Sequence, residues 1–137
     1  MLTPTVSPCS EQNTRSENQD ALGHFHTPYG DLYVVADGMG GHKGGRQAAE
    51  LTVRLFQETV TAAHATGMDA AQALQEAATK AHETVRREAA QQNLGNNGMG
   101  ATVVAALHSA AGMVIGHAGD SRVYLVRNGK LLRLTKD

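Results

Sequence analysis

The order of its hydrophobic patterns constrains this chain more than any single residue does. Short β-branched runs come first, two long helical stripes follow, and short β-branched runs return. In the middle block, Ala48, Leu51, Thr52, Leu55, Phe56, Thr59, Val60 and Ala63 recur at three- and four-residue steps. That spacing is one face of a helix. Residues 64–68 contain Gly67 and interrupt it. Asp69 then stands where an N-cap belongs, with Gln72 three residues on, the spacing of a capping box. Leu74, Ala77, Ala78, Ala81, Val85 and Ala89 carry a second stripe, which Gly95-Asn96-Asn97-Gly98 closes. Two long helices with a short break predict an antiparallel pair.

The flanking blocks read as strands. Residues 21–26 form a short extended stretch, Pro28-Tyr29-Gly30-Asp31 a turn, and residues 32–36 a buried strand with a short apolar run. After the helices, strands are expected over 101–107, 113–117, 122–126 and 130–134, as one meander. Residues 109–112 make a turn. Asn128-Gly129 is the strongest hairpin signal, because both central positions of a type I′ turn need positive φ. Strands, then helices, then strands indicate an α+β fold with antiparallel sheets.

Length and composition narrow the function. A chain of 137 residues fits one domain and can bury a core. Trp is absent, so small aliphatic residues must build that core. A formal net charge of -1 offers no electrostatic footprint for nucleic acid. The single Cys9 excludes an intramolecular disulfide and fits a reducing compartment. No run approaches the roughly 20 apolar residues of a membrane span. The first 12 residues lack a leader pattern. A cytoplasmic location, without nucleic acid or membrane partners, is therefore expected.

Chemistry concentrates where the strand at 32–36 runs into Asp37-Gly38-Met39-Gly40-Gly41-His42. A carboxylate beside a glycine carbonyl is a typical oxygen pair for Mg²⁺ or Mn²⁺. Taken alone, Asp37-Gly38 reads equally as a turn closing a hairpin. Three glycines among residues 38–41, with Gly44-Gly45 after them, exceed what a turn requires. No Gly-Lys-Ser/Thr closes the run, which argues against a P-loop. Arg15-Ser16-Glu17-Asn18-Gln19-Asp20 places a phosphate-gripping guanidinium and a carboxylate in a loop ahead of a strand, although a polar surface loop has the same composition. Gly119-Asp120-Ser121-Arg122 is a β-turn or a further ligand loop, and Gly100-Ala101-Thr102 is weak by itself. His24 and His26 share one strand face, and His42 follows the glycine loop. Zinc there would want more nitrogen or sulfur ligands at compact spacing.

Together and in this order, Arg15…Asn18-Gln19-Asp20, Val35-Ala36-Asp37-Gly38-Met39-Gly40-Gly41-His42, Gly100-Ala101-Thr102, Gly119-Asp120-Ser121-Arg122 and Leu134-Thr135-Lys136-Asp137 resemble the metal-dependent type-2C (PPM-type) protein phosphatases, in their bacterial branch. The resemblance runs from about Ser10 onward. It implies two antiparallel sheets packed face to face with helix pairs outside, here truncated. It also implies hydrolysis of phosphoserine and phosphothreonine with two Mn²⁺ or Mg²⁺ ions and a third held more weakly. By resemblance, Asp37 bridges two ions, the Gly38 carbonyl ligates the second, and Asp120 matches the aspartate linked to the third. Arg15 holds the substrate phosphate, and Asp20 acts in the outer shell on metal-coordinated water. Arg15, Asp20 and Asp37 are thus the expected catalytic residues. Metal-activated water needs no covalent intermediate, consistent with a peripheral Cys9.

The chain departs from the family's pattern in three places. Gln19 stands where many members carry a carboxylate. Met39 stands where animal members often carry a histidine proposed as general acid, and a thioether cannot donate a proton. The family's domain also continues well past Asp137, and its later half supplies two further aspartates that complete the first metal site. Residues 1–137 are thus expected to be the N-terminal portion of a single PPM-type domain, with apolar sheet edges left open to self-association. The competing expectation is a non-catalytic, phosphatase-like module that binds a phosphoprotein, the target of a serine/threonine kinase, or another partner.

Overall fold

The structure is a computed structural model and describes residues 4–12, 17–40, 44–92 and 99–137. Strands β1 (Asp20–Thr27) and β2 (Gly30–Met39) form a hairpin, and helices α1 (Gly44–Ala65) and α2 (Ala70–Gln91) follow. Strands β3 (Gly100–Ser109), β4 (Gly112–Ala118), β5 (Tyr124–Arg127) and β6 (Lys130–Arg133) complete the chain. One antiparallel sheet has the order β1-β2-β3-β4, and β5 and β6 make a second, two-stranded sheet. The expected α+β class with two antiparallel sheets and a helix pair is therefore present.

Alternation along the strands divides the four-stranded sheet into two faces. Leu32, Val34 and Ala36 point one way from β2, and Val103, Ala105 and Leu107 pair with them from β3. These six are buried beneath Ala49, Val53, Phe56 and Val60 of α1 and Ala73, Leu74, Ala77 and Ala81 of α2. Small residues dominate the α2 face, so that helix lies close to the sheet without aromatic bulk. The other face carries Leu22 opposite Val35, and both remain exposed.

The helices begin and end for local reasons. Asp69 accepts a hydrogen bond from the Gln72 backbone N–H at 2.8 Å, and the Gln72 side chain accepts one from the Asp69 N–H at 3.0 Å. This is the capping box expected from the sequence. Gly67 adopts φ +82 in the intervening turn, where a side chain would be strained. Gln92 Nε2 reaches Gln47 Oε1 at 3.3 Å, so the end of α2 lies beside the start of α1 and the pair is antiparallel. The buried stripe of α1 is rotated from the expected one. Ala49 and Val53 are buried, while Leu51 and Leu55 are only partly so.

Three expectations need correction. The turn between β1 and β2 is only Pro28-Tyr29, held by Thr27 Oγ1 donating to the Gly30 carbonyl at 2.8 Å, and Gly30-Asp31 already belong to β2. Strand β2 continues through Asp37-Gly38 to Met39, so the pair is not a turn. The third block is not one meander, because β4 pairs with β3 but β5 pairs only with β6. The chain leaves the sheet at Gly119 (φ +98), and Leu134 N–H closes back onto the Val123 carbonyl at 2.9 Å. The type I′ reading of Asn128-Gly129 holds, with φ 53 and 74. Arg15, His42 and Gly95-Asn96-Asn97-Gly98 lie outside the described residues. Among the described residues, no helix is long and apolar enough to cross a membrane.

Candidate functional site

Antiparallel register assembles the site. Asp37 on β2 stands directly opposite Asp20 on β1 and opposite Thr102 on β3. All three therefore occupy the sheet face turned away from the helices. Gly38 follows Asp37 and is buried. A Cβ at Gly38 would collide with the Gly45 carbonyl in the first turn of α1, so glycine is required for that close approach. The Gly38 N–H donates to the Gln19 carbonyl at 3.1 Å. Gln19 Nε2 donates to the Gly40 carbonyl at 3.0 Å. The same side chain occupies the space beside Gly45 that a Cβ would need. Gln19 thus ties the glycine loop to β1 and to α1. A carboxylate at this position could not make the donation to Gly40.

A cavity of about 460 Å³ opens over this end of the hairpin. Among the described residues, Glu11, Glu17, Asp20 and Asp37 line it, with Asn18, Gln19 and the Gly38-Met39-Gly40 segment. The donors are hard oxygens, the set suited to Mg²⁺ or Mn²⁺ rather than to zinc. Four carboxylates around one cavity make a divalent ion a favourable occupant. Glu11 reaches the cavity because the N-terminal segment is tied down. Asn18 Nδ2 donates to Ser10 Oγ at 2.9 Å, and Asn18 Oδ1 accepts from the Asp20 N–H at 3.0 Å.

Of the candidate residues, the structure brings together Asp20, Asp37 and Gly38. Asp120 does not line this cavity. It lies in the loop after β4, which folds against the β3 partner of Asp37. Thr102 Oγ1 and Ser121 Oγ share a hydrogen bond at 2.5 Å, and a Cβ on Gly119 would press into Thr102. The next residue, Arg122, makes a two-pronged pair with Asp137 through Nε at 3.0 Å and Nη2 at 2.6 Å. That pair draws the fourth and fifth motifs together. Hydrogen bonding to Arg122 is the main cause holding the Asp137 carboxyl below its ordinary range, and the same pair holds the Arg122 guanidinium above its own. Met39 is 56 % exposed at the cavity rim, where it can offer no proton. Sequence reasoning missed Glu11 and the donor role of Gln19. No local pattern announces Glu11, because its place depends on the Asn18–Ser10 contact.

Comparison with known proteins adds to this geometry. Residues 10–137 match the model of the family described as protein phosphatase 2C. The serine/threonine phosphatase stp of Listeria monocytogenes is 36% identical over 127 residues, covering 90% of this chain and 50% of that protein. The crystal structure of serine/threonine phosphatase Stp1 from Staphylococcus aureus aligns with a TM-score of 0.75 at 30% identity, covering 91% of this chain and 50% of that one. The catalytic domain of the serine/threonine protein phosphatase PstP, in complex with two manganese ions, aligns with a TM-score of 0.61 at 28% identity, covering 90% of this chain and 51% of that one. The chain spans about half the length of the curated relatives it matches.

Proposed function

The chain belongs to the protein phosphatase 2C family, and we propose that it supplies the N-terminal portion of a phosphatase domain that hydrolyses phosphoserine and phosphothreonine in proteins. One observation carries the reading: the β1–β2 register sets Asp20 against Asp37 at the mouth of a cavity with four lining carboxylates. Asp37 and the Gly38 carbonyl are the groups that would hold Mn²⁺ or Mg²⁺, and the oxygen donors of the cavity fit either ion. When bound, the ions supply a water of lowered pKa and neutralise charge building on the phosphoryl oxygens.

The chain's own residues do the rest. Gln19 fixes the glycine loop through Gly40 and so holds Gly38 in place. Asp20 orients the attacking water from the opposite strand. Arg15 takes two phosphate oxygens in parallel hydrogen bonds. Asp120 serves a third, weaker ion, supported by the Thr102–Ser121 contact that anchors its loop beside the β3 partner of Asp37. Met39 cannot protonate the leaving oxygen, so water or another group does. The partner is a phosphorylated protein, the target of a serine/threonine kinase. Self-association would use β1 and β4, the edge strands of the sheet among the described residues, and a monomer in light scattering would overturn it.

The test is Mn²⁺-dependent hydrolysis of a phosphothreonine peptide, with Asp37→Ala as control. Hydrolysis abolished by that substitution supports the reading. Hydrolysis unaffected by it overturns the assignment of Asp37. Phosphopeptide retention that depends on Arg15, without hydrolysis, would establish the non-catalytic module instead.

A further inference from the structure

At the far end of the same hairpin from Asp37, His24, His26 and Asp31 converge. His24 and His26 lie two residues apart on β1, and His26 pairs directly with Asp31 on β2. Asp31 Oδ1 stands 3.2 Å from His24 Nε2 and 2.6 Å from His26 Nδ1. One ligand atom from each of the three residues lies within 4.8 Å of the others. A tetrahedral zinc ion with bonds of about 2.0–2.1 Å spaces its donor atoms about 3.3 Å apart. The His24–Asp31 separation of 3.2 Å matches that spacing, and the His26–Asp31 separation of 2.6 Å opens to it when the ion replaces the shared proton.

A second observation concerns the wall of this cluster. The Tyr33 ring stacks on His24, with centroids 4.7 Å apart and planes 7° from parallel, and so fixes the orientation of that imidazole. Tyr33 Oη is buried and has no hydrogen-bond partner among the described residues. The Tyr33 ring thus forms one wall of the two-imidazole, one-carboxylate set.

We propose that His24 Nε2, His26 Nδ1 and Asp31 Oδ1 form a second divalent metal site, selective for Zn²⁺ and similar imidazole-binding ions over Mg²⁺ and Mn²⁺. It is separate from the carboxylate cavity and does not depend on the phosphatase reading. Two nitrogens and one oxygen leave at least one position for water, so the site is open rather than closed. The ion replaces the protons shared with Asp31 and clasps β1 to β2, so binding stabilises the folded chain.

The test is a Zn²⁺ titration of the full 137-residue chain carrying Cys9→Ser and Asp37→Ala, which remove the exposed thiol and the carboxylate assigned as ligand in the other cavity. Calorimetry and thermal melting are read in parallel. The expected result is one Zn²⁺ bound, a raised melting temperature, and no displacement by excess Mg²⁺. His26→Gln, at a side chain 88% exposed and so without cost to the core, should weaken binding more than about tenfold. Zinc should also shift the ring resonances of His24 and His26 in NMR spectra. No binding in the Cys9→Ser/Asp37→Ala protein, or equal affinity after His26→Gln, would overturn the proposal.

Discussion

The two ends of the β1–β2 ladder share one strand pair and one sheet face, yet they carry different donor sets. At the Asp20–Asp37 end, carboxylate faces carboxylate, and Glu11 and Glu17 add to the same cavity. At the His26–Asp31 end, one carboxylate is compensated by two imidazoles. The backbone is the same extended pair in both places, so strand geometry does not distinguish them. Donor chemistry does. Hard oxygens call for a hard cation, whereas nitrogen-rich donors call for a softer one. The Asp20–Asp37 and His26–Asp31 rungs of this regular hairpin lie six residues apart along each strand, so it has room for two donor sets of different selectivity.

Several substitutions would break or sharpen that contrast. The largest effect is expected from Leu32→Ala, because Leu32 is fully buried under the helices and supports both ends. Its loss should cost about 2–5 kcal/mol in urea unfolding and weaken both ends together. Gln19→Leu should act on one end only. It leaves the Gly40 carbonyl without its donor, costs about 1–2 kcal/mol, and loosens Mn²⁺ binding while Zn²⁺ binding at His26 persists. Asp69→Ala removes the α2 cap and should cost about 1 kcal/mol in the same unfolding assay, with neither end's ion affinity changed.

The smallest expected effect is a matter of pH. The Asp31 carboxyl is depressed in the folded chain, chiefly by its hydrogen bond from His24. Its contribution to stability is therefore present above the ordinary carboxylate value and is lost as pH falls through the lower folded value. Asp137 has the same sign for a different reason, its pairing with Arg122. Carbon-detected NMR titration should find both carboxyls titrating below ordinary aspartate, and Asp31→Asn should remove the first step alone.

The sequence made some of this architecture legible and hid the rest for physical reasons. The start of α2 could be read because the Asp69–Gln72 box is a purely local device. The Asn128-Gly129 turn could be read because its positive φ values select those residues. The extension of β2 through Asp37-Gly38 could not. Glycine density argues for a loop, and only the approach of the Gly45 carbonyl explains why a glycine sits inside the ladder. His24 and His26 were legible as neighbours on one face. Their carboxylate partner was not, because Asp31 was counted into the turn, and its place opposite His26 follows from a hairpin tip of only two residues. The five motifs were legible by resemblance, while Glu11 enters the cavity through tertiary contacts alone.

Mn²⁺ titration, read by the loss of the free-ion electron paramagnetic resonance signal, bears most directly on the assignment of the Asp37 end. The original chain, Asp37→Ala and His26→Gln should be compared side by side. The expected result is Mn²⁺ binding that falls more than about 100-fold in Asp37→Ala, beyond the 10–100-fold typical of outer-shell partners, and is unchanged in His26→Gln. Mn²⁺ binding that survives Asp37→Ala, or that falls with His26→Gln instead, would contradict the division of the hairpin into a hard-cation end and an imidazole end.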